Sequence, residues 1–99
     1  MSAPRRGSVW STSLDRDVLV LSSTIYNEIG SESTVLTTPV VREEPQSGFG
    51  VDLGVGWALP NLIGPFRKSQ LDEQLHQVAM TQLTAVNNML FKILATPEQ

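Results

Sequence analysis

Cysteine is absent from the 99-residue sequence, and His76 is its only histidine. The first absence removes disulfide staples, thiol nucleophiles and thiolate-bound zinc, and agrees with a reducing, cytoplasmic setting. Oxygen and nitrogen groups are left to do any chemistry, with no metal and no cofactor expected. No run approaches the ~20 apolar residues of a membrane span, and the opening MSAPRRGS lacks the apolar core of a signal peptide. A cytoplasmic chain without membrane contact is the expectation. Strong positive charge is missing too: the net charge is −3, which gives no general attraction for nucleic acid. Repeats, low-complexity tracts and linkers do not occur, so residues 1–99 are expected to form one domain.

What is present fits a small globular domain, with 40% hydrophobic and 17% charged residues. A chain of this size buries only about 65% of the surface it exposes when unfolded. Without staples, a shared subunit interface is the natural source of extra stability, and a homodimer is expected. Positive charge is concentrated: Arg5, Arg6 and Arg16 against Asp15 give the first sixteen residues a charge of +2. Phosphate contact would therefore be local, and Arg5, Arg6 and Arg42 are the candidate nucleic-acid-binding residues.

Hydrophobic periodicity predicts strands over Ser8 to Leu14 and Val18 to Ser22, joined by Asp15, Arg16 and Asp17. Val18 to Leu21 is an unbroken aliphatic run, as in a strand covered on both faces. SSTIYNEIG then offers a Ser22 or Ser23 cap, the apolar pair Ile25 and Ile29, and Gly30 as a stop, which suits one or two helical turns. Thr34 to Val41 is rich in β-branched residues, and Pro39 places it at an edge or a bulge. Gly48, Gly50, Gly54, Gly56 and Gly64 punctuate short runs, predicting strands at Phe49 to Leu53 and Trp57 to Leu59, a further one at Ile63 to Phe66, and a turn of helix at Arg67 to Leu71. No lysine and no helix start accompany the glycines of Gly48 to Gly56, so they read as turns rather than a phosphate loop.

The last segment is periodic in another way. Leu83, Val86, Met89, Leu90, Ile93 and Leu94 line one face of a helix, with Thr81 or Thr84 as cap and Pro97 beyond its end. Burial against the sheet is expected for Val86, Met89, Leu90 and Ile93. The fold class is mainly β with a C-terminal helix: a strongly bent antiparallel sheet, close to a small barrel.

Four motifs in this order carry a resemblance: RRGSVW in a first strand, then RDVLVLSSTIYNE, then STVLTTPVV, and finally KSQL ahead of the terminal helix. Together they resemble the MazF/PemK/Kid family of bacterial toxins over nearly the whole chain. The resemblance implies a homodimeric SH3-like barrel of the MazF/CcdB kind that cuts single-stranded RNA without metal and is neutralised by a cognate antitoxin peptide. In that chemistry the ribose 2′-hydroxyl attacks the adjacent phosphate, so one proton is accepted, another donated, and a more negative phosphorus centre stabilised.

Family members use an Arg at the start of the second strand and a Thr at the end of the third. The first falls on Arg16. The second falls on Val41, which can neither stabilise a phosphorane nor move a proton. Thr38 is the nearby hydroxyl taken as its catalytic replacement, on condition that a bulge at Pro39 turns it over, because in a regular strand it faces away from Val41. The connecting loop is about ten residues shorter than in typical members, the family's Pro is Asp17, and its later Gln and Arg correspond to Leu62 and Gly64. Asp17 could hold the Arg16 guanidinium.

Other residues have plainer readings. His76 without a cluster reads as a surface residue. Arg42, Glu43 and Glu44 read as a solvated charge run, and Trp10 and Trp57 as core aromatics before base-stacking platforms. Three functions stay open: a toxin cleaving RNA, a toxin-fold protein acting through an interface as the CcdB-like gyrase poisons do, and a binder of DNA, RNA or an antitoxin without catalysis.

Overall fold

The run Val18 to Leu21 is buried along its whole length, because its strand has a sheet neighbour on each side and side chains packed above and below. The computed structural model describes residues 3–95. It places β1 at Ser8–Thr12, β2 at Asp17–Val20, a short helix α1 at Thr24–Asn27, β3 at Thr34–Val41, β4 at Val51–Asp52 and β5 at Trp57–Ala58. A 3-10 turn at Pro60–Leu62 leads to β6 at Gly64–Arg67, and a second at Lys68–Gln70 leads to β7 at Leu71–Gln77 and the helix α2 at Met80–Ala95. Helix α1 begins as expected, with Ser23 Oγ accepting from Tyr26 N at 3.1 Å.

The strands run in the order β4-β5-β3-β2-β1-β7, with β6 also on β3, and every pair is antiparallel. Strand β3 is therefore central, not an edge. Its side away from β2 is shared: Thr34 to Thr37 pair with β6, while Val40 and Val41 pair with β5. Pro39 sits where one neighbour hands over to the other, which is why a residue without an N–H is tolerated in the middle of the sheet. Its carbonyl still accepts from Leu59 N at 3.0 Å.

The sheet curls because the turn at Lys68–Gln70 joins its two sides. Lys68 N donates to Ser33 O at 2.9 Å, just before β3, and Ser13 N donates to Gln70 O at 3.0 Å, just after β1. These bonds span the gap between β6 and β7, where the sheet stays open. Register shifts between Val9 and Trp10 and between Trp10 and Thr12 let β7 follow the bend. The expected bent, barrel-like sheet with a terminal helix is the observed fold.

One face of the sheet carries the main core: Val9, Leu19, Leu21, Val51, Leu53, Ala58 and Val78 close around Leu83 and Val86 of α2. Each large aliphatic side chain among them stabilises the fold by about 1.5–3 kcal/mol through burial. The helix is anchored by its first half. Leu83 and Val86 are buried and Met89 partly so, whereas Leu90 and Ile93 are only half-buried and Phe91 and Leu94 are each 73% exposed. The expected caps Thr81 and Thr84 lie inside the helix; instead the Gln82 side chain folds back and its Oε1 accepts from Ala79 N at 3.1 Å, half of a capping box. Pro97 lies outside the described residues.

Strand β7 is the element that sequence patterning misses. Asp72, Glu73, Gln74, His76 and Gln77 are all exposed on it, so no apolar alternation marks a strand. Polar residues are what an edge strand carries to discourage further pairing.

Candidate functional site

The stretch between β1 and β2 is a tight hairpin. Pairing runs Val9 with Leu19, Trp10 with Val18 and Ser11 with Asp17, which leaves Ser13, Leu14 and Asp15 as a three-residue loop beyond Thr12 and Arg16. Asp15 takes the left-handed conformation at φ 59°, the position that such loops need to re-enter the second strand. The Thr12 hydroxyl donates to Arg16 O at 2.7 Å and accepts from Leu14 N at 3.3 Å. Arg16 is thereby held at the mouth of β2 with its side chain exposed. Among the described residues no ion pair joins its guanidinium to Asp17 or Asp15, so Asp17 does not hold it.

The β2–β3 register pairs Asp17 with Val40. One residue further out, Arg16 stands across from Val41, which is 37% exposed. The two positions that the resemblance assigns to the family's Arg and Thr are therefore cross-strand neighbours, and the second holds an aliphatic side chain.

Thr38 is not brought to them. Pairing continues through Val18 with Pro39 and Leu19 with Thr38 without a shift, so the bulge at Pro39 that would turn Thr38 over does not form. Its side chain shares the α2 side of the sheet with Leu19 and Val40, is 0% exposed, and points its hydroxyl at Pro39 O at 3.5 Å. Thr37 faces the other side, but it too is buried, its hydroxyl 3.5 Å from Gly64 O.

The arginines fall into two groups. Arg42 follows Val41 and is exposed at the same end of the sheet as Arg16. Arg5 and Arg6 lie at the other end of β1, which at five residues and ~3.4 Å each separates the groups by ~17 Å. The sequence cluster of Arg5, Arg6 and Arg16 is thus not one patch. Arg5 and Arg6 line a small cleft of about 460 Å³ with Thr24, Gln74 and Gln77.

That turn is rigidly built. Asn27 Nδ2 donates to Pro4 O at 2.8 Å, Ser8 N to Arg5 O at 3.1 Å, Arg6 N to Thr24 Oγ1 at 3.2 Å and Gln77 Nε2 to Arg6 O at 3.0 Å. Gly7, at φ 89°, closes it with backbone bonds to Val20 and Val78.

A larger cleft of about 940 Å³ opens between α1, Trp10 and the turn from β6 to β7; Arg67 and Lys68 stand on that turn. Neither cation stood out in the sequence, because nothing there shows that the turn folds back against α1. His76 is exposed on β7, and Trp10 and Trp57 are half-buried. Among the described residues no group of three or more His, Asp or Glu side chains is placed to hold a metal, and no helix is long and apolar enough to cross a membrane.

The sequence matches no protein-family model and no curated protein. Solved structures do resemble it. An endoribonuclease from a mycobacterial species superposes with a TM-score of 0.85 at 22% identity, over 100% of this chain and 98% of that one. A chain of the MazE–MazF crystal structure from Deinococcus radiodurans gives 0.80 at 26% identity, over 96% and 99%. The Mycobacterium tuberculosis toxin MazF-mt6 gives 0.75 at 14%, over 92% and 99%. Matched from end to end in architecture, the chain has the fold of the MazF toxins.

Proposed function

We propose that this chain is the toxin of a type II toxin–antitoxin pair, a single toxin-like domain over residues 1–99 that acts in the cytoplasm on single-stranded RNA as a slow, metal-independent endoribonuclease. The observation that carries this reading is the cross-strand position of Arg16 and Val41 at the exposed end of β2 and β3. Arg16 supplies charge to the phosphorus centre as the substrate's own 2′-oxygen attacks and the 5′-oxygen leaves, giving a 2′,3′-cyclic phosphate and a 5′-hydroxyl. Val41 supplies nothing. Removing one preorganised charge-stabilising or proton-transfer group typically lowers such a rate ~10²- to 10³-fold. Thr38, enclosed in the core, is left out of the site. Glu43 and Glu44 follow Val41 and Arg42 at the same end and are the carboxylates assigned to proton transfer. Arg42 and the Arg5–Arg6 turn bind the flanking phosphates.

The partners follow from the same reading: a second copy of the chain, and a cognate antitoxin peptide. The mycobacterial endoribonuclease that was solved with its cognate antitoxin superposes with a TM-score of 0.84 at 21% identity and supports an antitoxin here. A second reading, action through protein contact without cleavage, is favoured by the apolar side chains left outside the core, Ile25 at 80% and Phe91 and Leu94 at 73% exposed.

A cleavage assay on mixed single-stranded RNA in the presence of EDTA separates the two. Slow cleavage leaving cyclic phosphate ends, abolished in Arg16→Ala, supports the nuclease; no cleavage by the parent supports the contact reading. Rapid cleavage unchanged in Arg16→Ala overturns the assignment of Arg16. Light scattering that returned the monomer mass of 10.8 kDa at micromolar concentrations overturns the dimer.

A further inference from the structure

The larger cleft runs along β1 from Pro4 to Leu71, which pairs with Thr12 of the Arg16 hairpin; Arg16 itself does not line it, and nothing in the proposed chemistry uses it. One wall is the indole of Trp10. Its Nε1 donates to Ser8 Oγ at 2.8 Å, and that hydroxyl donates in turn to Arg5 O, so the ring is fixed in orientation by its edge. A second wall is the Lys68–Gln70 turn, tied to Ser33 and Ser13 by the two backbone bonds that close the sheet. Arg67, Lys68 and the hydroxyl residue Ser69 line the cleft from this side. Glu28 and Glu32, at and beyond the end of α1, line the third.

The state of these charges is informative. Lys68 Nζ is occupied, donating to Ile29 O at 3.1 Å, and Glu32 Oε1 accepts from Thr34 Oγ1 at 3.3 Å. Among the described residues the Arg67 guanidinium and the Glu28 carboxylate have no hydrogen-bond or ion-pair partner. Among the described residues, one unpartnered cation, one unpartnered carboxylate and an indole held by its hydrogen bond therefore line a cleft of about 940 Å³, within the ~300–1,000 Å³ range of small-ligand sites. An aromatic wall binds the face of a flat ring by stacking, a guanidinium binds phosphate, and a carboxylate accepts from paired N–H donors. Among common ligands, a nucleotide offers all three features in one molecule. Of the bases, guanine presents two adjacent N–H donors, N1–H and N2–H₂, that a single carboxylate can take together; uracil has no such pair.

We infer that the cleft bounded by Trp10, Glu28 and Arg67 is a guanine-nucleotide site, taking the base between Trp10 and Glu28 and its phosphate at Arg67. The ligand comes from one of two sources with the same chemistry, a free guanine nucleotide or an unstacked guanosine of an RNA strand. The site does not depend on Arg16, and its occupation needs no cleavage.

The test uses the full chain carrying Trp57→Phe, so that Trp10 is the one fluorophore of its type, titrated with GMP, UMP and guanosine. GMP is expected to change Trp10 emission at a concentration at least tenfold below UMP. Glu28→Gln should erase most of that preference, and Arg67→Ala should weaken GMP about tenfold while leaving guanosine unchanged. Both replaced residues are on the surface of the cleft, and the circular dichroism of each variant checks that the fold is kept. A parallel titration uses two short single-stranded oligonucleotides of 2′-deoxy chemistry, resistant to 2′-hydroxyl attack, one with and one without a single guanine. Binding of GMP assigns the free nucleotide as source. Binding of the guanine oligonucleotide alone, lost in Glu28→Gln, assigns the strand. If neither ligand binds, or if binding is indifferent to both Glu28→Gln and Arg67→Ala, the inference is overturned, whatever the cleavage assay shows.

Discussion

Strand β1 presents arginines at both of its ends, and the two ends are built differently. At the Arg5–Arg6 end, α1, the β7 side chain Gln77 and the segment leading into α2 all hold the backbone, and Asn27 and Thr24 supply dedicated acceptors or donors. At the Arg16 end, one side chain, Thr12, and one backbone bond, Ser13 N to Gln70 O, tie down the loop. The contrast runs against what a catalytic loop needs, since a reacting phosphate is stabilised by groups fixed in advance. In this chain the many-sided support has gone to the arginines farther from the proposed chemistry, which fits the proposed roles of a rigid phosphate-binding turn and a cleavage corner weakened by Val41.

The largest effect should come from Gly7, where the rigid end meets the core. Its φ of 89° is unfavourable for any side chain, and a Cβ there would lie 2.7 Å from both Gln77 Nε2 and Leu83 Cδ1. Left-handed backbone costs ~1–2 kcal/mol in a residue with a Cβ, and forcing an extra methyl against a packed leucine ~1–3 kcal/mol. Gly7→Ala is expected to lower stability by about 2–5 kcal/mol in urea unfolding. A midpoint equal to the parent's would mean that the turn yields, and the contrast between the two ends would disappear.

Much of this architecture was legible from period and composition, and the failures have physical causes. Val18 to Leu21 declared a strand covered on both sides because four aliphatics in a row admit little else. Pro39 misled because its missing N–H argues for an edge, whereas the sheet accommodates it at a handover between β6 and β5 that only the tertiary fold creates. Strand β7 was silent because its side chains, pointing to water on an edge, need no apolar pattern. Of the candidate site, alternation sets Arg16 and Val41 one residue beyond Asp17 and Val40, the last pair of the β2–β3 ladder. Thr38 was the weak step, since strand alternation already set it opposite Val41, and the bulge invoked to rescue it is absent. Arg67 and Trp10 share a cleft through a turn whose closure depends on bonds to Ser33 and Ser13, and no local pattern announces such a closure.

Asn27 gives the next effect. It is 1% exposed, donates to Pro4 O and Ser22 O, and accepts from the Ser22 hydroxyl. Asn27→Ala leaves these buried groups without their partner, and each unsatisfied group costs ~1–3 kcal/mol where water cannot reach it. Leu36 N still donates to the Ser22 hydroxyl, so two carbonyls lose their amide partner and a loss of at least about 2 kcal/mol is expected, with faster hydrogen exchange at the amides of Arg6 and Gly7. Unchanged exchange there would show that Thr24 and Gln77 hold the turn without Asn27. Thr12→Val, at the other end, removes one hydrogen bond to Arg16 O and should cost only about 0.5–1.5 kcal/mol. If it cost more than Asn27→Ala, the hairpin would be the better-supported end.

The smallest effect has the opposite sign. Asp15 is held at φ 59°, where an L-residue is strained and glycine is not, although Asp tolerates this region better than most residues. Replacing it with glycine removes that strain but gives the unfolded chain more freedom, a loss of roughly 0.5–1 kcal/mol relative to alanine. For an ordinary side chain the strain of ~1–2 kcal/mol outweighs that loss, and for Asp the two nearly balance. Asp15→Gly is therefore expected to be neutral or to stabilise by up to ~0.5 kcal/mol, whereas Asp15→Ala, with the Cβ kept and the local tolerance of Asp lost, should destabilise by ~0.5–1 kcal/mol. Both remove a carboxylate beside Arg16 and raise the net charge from −3 to −2, so RNA should bind each at least as tightly as the parent at low salt. The pair separates conformation from charge: stability should distinguish Gly from Ala, and RNA affinity should not. Equal stabilities for the two variants would mean that the loop relaxes out of the left-handed conformation.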